Sequence, residues 1–151
     1  MAGSATHIPA TVRTISVPVF ATHSQAYHSE VALTQAVVRE FNTRTRYRIL
    51  TGNDADADAK LSGTVLTQTS VPLTYDSTSG ETSSYLVTIT VKAVLTARDG
   101  RVLYQNDALS YREQYQSTQD LTGFIREDPA AVNRLARDFA HALVSDMLES
   151  F

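Results

Sequence analysis

The sequence contains no cysteine among its 151 residues. Disulfide bonds, zinc–thiolate sites, iron–sulfur clusters and thiol nucleophiles are therefore excluded. With only six glycines and four prolines, the composition is not that of a disordered or fibrous chain. The missing thiols do not identify a compartment, because a chain without cysteine is compatible with any redox environment.

An excess of positive charge and a long apolar run are also missing. The net charge is −3 and the pI is about 5.7, which argues against a nucleic-acid binder, because phosphate neutralisation needs a basic excess. No apolar run approaches the roughly 20 residues that cross a bilayer, and residues 1–6 lack the basic and apolar regions of a signal peptide. At 42% hydrophobic and 19% charged residues, the chain predicts one folded domain.

Alternation with a period of two dominates the middle of the chain. It predicts strands at 8–20, 47–50, 61–75, 84–97 and 102–115. From Leu61 to Tyr75 the odd positions are expected on one face, and fifteen such residues span about 50 Å. Asp99-Gly100 is the signal of a two-residue hairpin, and Pro18 marks an edge or the end of the first strand.

Helical periodicity predicts an amphipathic helix at about 25–45 and another at 129–149. The inner face of the first helix is expected to carry Tyr27, Val31, Leu33, Thr34, Val37, Val38 and Phe41. The second has one stripe of Val132, Leu135, Phe139, Leu143 and Met147 and a neighbouring one of Ala136, Ala140, Val144 and Leu148. The predicted fold class is α+β, a two-layer sandwich with both helices on one face of a four- to five-stranded mixed or antiparallel sheet. Its order is β-α-β-β-β-β-α, with long central strands.

Catalytic and metal-binding signatures are weak. Asp54, Asp56 and Asp58 match the first ligand positions of a calcium loop, but Ala59 and Val65 stand where that loop needs Gly and Glu. A turn leading into a strand is the better interpretation. The four histidines form no ligand pair at helical spacing, and no hydrolase, zincin, phosphate-loop or dinucleotide motif is present. The sequence predicts a non-enzymatic protein without a metal or other cofactor.

A cationic cluster and several tyrosines remain as candidate binding residues. The cluster consists of Arg39, Arg44, Arg46 and Arg48. It can hold an anionic partner, or it can complement the negative end of the first helix. The tyrosines of the long strands, which can face a partner or an amphiphile or simply suit a strand, are Tyr75, Tyr85, Tyr111 and Tyr115.

An ordered set of segments carries a family resemblance. The segments are Ile8-Pro9, RTISVPVF at 13–20, LTQAVVREF at 33–41, RTRYR at 44–48, ADAKLSGTV at 57–65 and LARDFA at 135–140 with Leu148-Glu149. Together they resemble the lipopolysaccharide-assembly lipoprotein family LptE. No single segment is specific, whereas the ordered set runs through nearly the whole chain.

The resemblance implies one LptE-like α/β domain at 8–151, after a flexible N-terminal segment at 1–7. It implies a component of the outer-membrane lipopolysaccharide transport machinery that acts as plug and assembly partner of the LptD β-barrel and contacts lipopolysaccharide. The expected location is the periplasmic side of the outer membrane. Long strands with polar tips suit a plug that reaches into a wide barrel lumen.

The resemblance also assigns candidate sites. The loop between the two long strands is expected to contact the barrel through Tyr75, Asp76, Gly80, Glu81 and Tyr85. In the family, basic residues of this loop contact lipopolysaccharide, whereas here the loop carries Asp76 and Glu81. A lipopolysaccharide contact is expected from the cationic cluster, through Arg44, Arg46 and Arg48.

Membrane attachment is implied by the resemblance alone. Family members begin, once mature, at a lipidated cysteine just before a glycine, and the corresponding region at 1–4 has no cysteine. Attachment through an N-terminal cysteine that precedes this sequence is the expectation. The alternative interpretation is a periplasmic or outer-membrane α/β module that binds cell-envelope proteins or peptidoglycan synthases.

Overall fold

The computed structural model describes residues 8–23, 30–53, 55–75, 82–116 and 129–149. Within these ranges there are two helices and six strands. In chain order they are β1 Thr14–Val17, β2 Ala21–Thr22, α1 Glu30–Arg44, β3 Arg48–Thr51, β4 Ala59–Tyr75, β5 Thr82–Ala97, β6 Val102–Gln116 and α2 Pro129–Glu149. The predicted α+β class is confirmed, and the predicted order holds apart from the additional short strand β2.

The strands form one mixed sheet in the order β3-β1-β4-β5-β6, with β2 paired to β4 beside this path. β1 runs parallel to β3 and to the start of β4, whereas β4, β5 and β6 are antiparallel. The parallel β1–β3 pair requires a crossover connection, which α1 provides. Proline has no N–H to give to a sheet, and β1 ends directly before Pro18. The predicted strand at 8–20 is therefore too long.

The β5–β6 hairpin forms where Asp99-Gly100 predicts it. Gly100 has a φ of +95°, a conformation that costs glycine little because it has no Cβ. Its N–H donates to the Ala97 carbonyl at 2.9 Å. The long strands β4, β5 and β6 match their predicted ranges within two residues at each end.

A β-bulge changes which side chains of β4 face the core. The register with β5 shifts between Val65 and Thr67. Odd-numbered residues are buried before this point, whereas beyond it Gln68 is 5% exposed and Val71 and Leu73 are 51% and 44% exposed. A bulge places two residues opposite one and so reverses the faces of a strand. The prediction of one continuous face on β4 is therefore wrong beyond Val65.

The core lies between the sheet and the two helices, which also pack against each other. Its largest fully buried side chains are Phe20, Phe41, Phe139, Ile15, Leu33, Leu61, Ile89, Leu95, Leu135, Leu143 and Met147. Val31 departs from the predicted inner face of the first helix and is 49% exposed, because it borders an open groove with Val17, Val19 and Val38. Tyr27 lies outside the described residues.

Phe20 rests directly on Gly63 of β4. A Cβ added at Gly63 would lie 2.7 Å from three carbons of the Phe20 ring. The Phe20 N–H donates to Thr34 Oγ1 at 2.8 Å, and this hydroxyl donates to the Glu30 carbonyl at 2.7 Å. Phe20 therefore joins the segment between β1 and β2 to helix α1 through its N–H and to strand β4 through its ring.

Candidate functional site

An open groove of about 620 Å³ lies where α1 ends and β3 begins. It is called the basic groove here, and it is lined by Val12, Arg13, Thr14, Arg44, Thr45, Arg46, Tyr47, Arg48 and Leu148. The loop at 45–47 forms its wall because α1 ends at Arg44. The last turn is closed by Thr45, whose N–H and hydroxyl both donate to the Phe41 carbonyl, at 2.9 and 2.7 Å.

Arg44 is engaged in joining the two helices. Its guanidinium contacts the Glu40 carboxylate at 3.3 Å and Ser145 of α2 at 2.8 Å. The same carboxylate oxygen lies 3.0 Å from His141 Nδ1. His141 is exposed and contacts α1. Arg44 therefore fastens α1 to α2 beside the groove.

Arg46 and Arg48 are exposed and differ from Arg44 in their surroundings. Among the described residues, no carboxylate forms an ion pair with either of them. Arg13, which sequence reasoning missed, lines the same groove. Parallel pairing places it there, since Thr14 is the partner of Arg48 and the Arg48 N–H donates to the Arg13 carbonyl at 2.8 Å.

Apolar side chains form the floor of the basic groove. Val12 is 7% exposed, and Tyr47 and Leu148 are half-buried and pack against the core. Burial raises the pKa of Tyr47 above its usual value, so the phenol stays neutral. The groove therefore combines guanidinium groups at its rim with a neutral apolar surface beneath them.

The far halves of the long strands form a second candidate surface. Neither β1 nor β2 pairs with β4 beyond Val65 in the part of the chain that the structure describes. Residues 67–75 of β4, 82–90 of β5 and 110–116 of β6 continue as a three-stranded ribbon, called the arm. Nine residues of β4 extend it by about 30 Å. Val71 and Leu73 are large hydrophobic residues exposed on it.

Two of the five predicted barrel-contact residues lie towards the end of the arm. Tyr75 is the last residue of β4, and Tyr85 pairs with Pro72. Asp76, Gly80 and Glu81 lie outside the described residues. These two predicted residues therefore lie on neighbouring strands, and their contact with a barrel stays a prediction.

Asp58 has a structural role in the turn before β4. One carboxylate oxygen accepts the backbone N–H groups of Arg13 and Thr14 at 2.8 and 3.1 Å, and the other contacts Arg98 at 3.2 Å. These backbone hydrogen bonds, followed by that of the Thr14 hydroxyl and the charge of Arg98, lower the pKa of Asp58. The carboxylate therefore fixes the start of the β1–β4 pair. Asp54 lies outside the described residues.

Polar contacts elsewhere are also structural. The hydroxyl of buried Tyr104 donates to Asp146 of α2, and burial together with Asp146 raises the pKa of Tyr104. The Tyr111 hydroxyl donates to Glu113 at 3.0 Å. The described residues contain no group of three His, Asp or Glu side chains that could hold a metal ion. Within the same residues, no helix is long and apolar enough to span a membrane.

The fold and its surfaces together define a type of α+β domain with paired helices on a mixed sheet, a basic groove and an arm of three long strands. The family model described as "LptE: Lipopolysaccharide-assembly" matches residues 12–147. Because this match covers most of the chain, the protein belongs to the LptE family, the non-enzymatic lipoproteins of lipopolysaccharide assembly associated with the outer membrane. No curated protein matches the sequence.

Solved structures share the fold at low sequence identity. Rare lipoprotein B from Shewanella oneidensis matches with a TM-score of 0.50 and 15% identity, over 89% of this chain and 92% of that chain. A minor lipoprotein from Acinetobacter baumannii matches with a TM-score of 0.52 and 15% identity, over 93% of each chain. The PelC dodecamer from Paraburkholderia phytofirmans matches with a TM-score of 0.54 and 13% identity, over 100% of this chain and 96% of that chain. At these identities the likeness concerns the fold alone.

Proposed function

We propose that this protein is the plug and assembly partner of an LptD-type outer-membrane β-barrel, held on the periplasmic side of the membrane by a lipidated N-terminal cysteine. Membership of the LptE family supports a role in lipopolysaccharide assembly. The arm is the observation that carries the finer proposal. A plug must contact the wall of a wide lumen, and the arm offers a ribbon about 30 Å long.

The exposed face of the arm supports a protein contact. Val71 and Leu73 are 51% and 44% exposed on neighbouring outward positions of β4, and Thr67 and Thr69 continue this face. Contiguous exposed apolar side chains within a polar surround are typical of interaction surfaces. The tip, with Tyr75, Asp76, Gly80, Glu81 and Tyr85, is proposed to contact the barrel as well.

Co-purification tests the barrel partnership. The chain would be expressed behind a lipoprotein signal sequence and cysteine in a Gram-negative host, and outer membranes would be solubilised and purified through a tag on this protein. We expect a barrel-forming outer-membrane protein at one-to-one stoichiometry. Recovery of only soluble or peptidoglycan-bound partners would contradict the plug and favour a module that binds envelope proteins or peptidoglycan synthases.

A pair of variants tests the arm itself. V71D with L73D places two charges on its exposed face, so recovery of the barrel should fall at least tenfold while the thermal midpoint stays within about 3 °C, because exposed substitutions change stability little. V102D is the matched control, since Val102 is also 51% exposed but lies at the opposite end of β6. Equal barrel recovery by all three proteins would refute the arm as the contact surface.

A contact with lipopolysaccharide belongs to the same proposal. The sequence predicts this contact through Arg44, Arg46 and Arg48, which all line the basic groove, and guanidinium groups suit phosphates because their planar donors match phosphate oxygens. Binding should weaken with added salt, since salt screens exposed charges.

A further inference from the structure

The basic groove concentrates positive charge in an acidic protein. Arg13, Arg46 and Arg48 line one groove, whereas the whole chain has a net charge of −3. In the described part of the chain these three guanidinium groups form no ion pair. By contrast, Arg98 contacts Asp58 at 3.2 Å. The three groups together attract an anion, and their mutual repulsion is relieved when one binds.

The end of α1 does not account for this charge. Cations complement a helix dipole when they lie in its last turn, and of the arginines in the groove only Arg44 does so. The Phe41 carbonyl is already bonded by Thr45. Arg13 comes from a different part of the chain, before β1. The cluster is thus assembled by the fold from two segments that α1 separates in sequence.

The floor of the groove narrows the chemical class of the anion. Val12, Tyr47 and Leu148 present an apolar surface directly beneath the cationic rim. A free inorganic phosphate would gain binding free energy from the guanidinium groups alone. A phosphate attached to hydrocarbon gains binding free energy from the guanidinium groups and from the apolar floor, because its hydrocarbon also leaves water.

We infer that Arg13, Arg46 and Arg48 form a binding site for the phosphate headgroup of an amphiphile, with Val12, Tyr47 and Leu148 beneath it, and that Arg44 is not part of the site. This inference rests on the proposed lipopolysaccharide contact and changes its residue set. Arg44 donates to Ser145 at 2.8 Å and contacts Glu40 at 3.3 Å. Its guanidinium is therefore committed to the helix pair, whereas that of Arg13 has no ion pair with any described residue.

Vesicle co-sedimentation of the full chain tests the site. The vesicles would be phosphatidylcholine alone, phosphatidylcholine with lipopolysaccharide, or phosphatidylcholine with phosphatidylglycerol. Inorganic phosphate would be added as a competitor in a separate experiment. The triple variant R13A/R46A/R48A should lose at least tenfold in affinity for the two anionic kinds of vesicle, those with lipopolysaccharide and those with phosphatidylglycerol, and its binding should depend less on salt. Unchanged affinity of this variant would overturn the site. Binding of the unmodified protein only to vesicles with lipopolysaccharide would identify lipopolysaccharide as the source of the headgroup. Binding to both anionic kinds of vesicle would show that a phospholipid headgroup is also accepted.

Two controls separate the inference from simpler explanations. R44A tests the residue set and should keep lipid affinity within twofold but lower the thermal midpoint. R112A is the control and should change neither quantity, since Arg112 is exposed on the arm, at the other end of the long strands. A tenfold loss in R44A with the fold intact would restore Arg44 to the site. If inorganic phosphate competes fully at equal concentration with lipid phosphate, the apolar floor has no role.

The same variants distinguish this inference from the plug proposal. The triple variant should still co-purify with the barrel, because the basic groove and the arm lie at opposite ends of β4. Loss of lipid binding with retained barrel recovery supports the site. Absence of a barrel partner for the unmodified protein would refute the plug and leave the lipid measurement unaffected.

Discussion

The contact between Phe20 and Gly63 offers a sharp test of the core. A Cβ at residue 63 would lie 2.7 Å from three ring carbons, well inside van der Waals contact. Phe20 is 2% exposed and its N–H is held by Thr34 at 2.8 Å, so the ring has little room to move. Gly63→Ala should therefore force side chains away from their preferred positions.

The size and sign of this effect follow from opposing contributions. Overpacking of a core costs about 1–3 kcal/mol, which for 151 residues lowers the thermal midpoint by about 2–12 °C. Without the clash, Gly63→Ala would raise stability by about 0.4–1 kcal/mol, because alanine restricts the unfolded chain. Gly63 is not among the glycines with positive φ, so backbone strain does not contribute. Destabilisation would therefore report the ring contact.

Urea denaturation of a double-mutant cycle measures the contact. Gly63→Ala, Phe20→Leu and the double variant would be compared with the unmodified protein, and the neighbouring Ser62→Ala would serve as a strand control. The cost of Gly63→Ala should fall by at least about 1 kcal/mol when Leu replaces Phe20, because the smaller side chain leaves room. An equal cost in both backgrounds, or a gain in stability from Gly63→Ala alone, would refute the reasoning.

Two further predictions concern pH and polar contacts. Tyr104→Phe should lower the free energy of unfolding by about 1–3 kcal/mol, because Asp146 loses a buried partner. Since the pKa of Tyr104 is raised in the folded state, the free energy of unfolding should decline as pH rises above about 10. Urea denaturation midpoints that do not change with pH above about 10 would contradict this. The pKa of Asp58 is lowered in the folded state, so ionised Asp58 stabilises the fold. This contribution to the free energy of unfolding is present above the pKa of Asp58 in the unfolded chain and is lost as pH falls through its pKa in the folded protein. Asp58→Asn should flatten the acid limb of thermal midpoints against pH.

Local periodicity was sufficient for the helices and long strands. Leu135, Phe139, Leu143 and Met147 follow one another at four-residue steps and are each at most 1% exposed, because one helix face meets a single core. The bulge after Val65 was not predictable, since the residues beyond it still alternate with a period of two. Which face such residues occupy depends on the pairing of β4 with β5, which the sequence of β4 alone does not contain.

The candidate site was predictable only where its residues are close in sequence. Arg46 and Arg48 were found because they lie together after α1. The place of Arg13 in the groove was not predictable because it depends on the parallel pairing of β1 with β3, and the contacts of Arg44 with α2 were not predictable because they are long-range. The barrel partnership came from the family resemblance and stays a prediction.

The bulge after Val65 has a genetic consequence. Polar substitutions at Leu61 or Val65, which are at most 1% exposed, should reduce the amount of folded protein in the cell. The same substitutions at Val71 or Leu73 should leave its abundance unchanged and impair only its association. A single irregular position thus divides one strand into a half that a screen for expression would detect and a half that only a screen for complex formation would reveal.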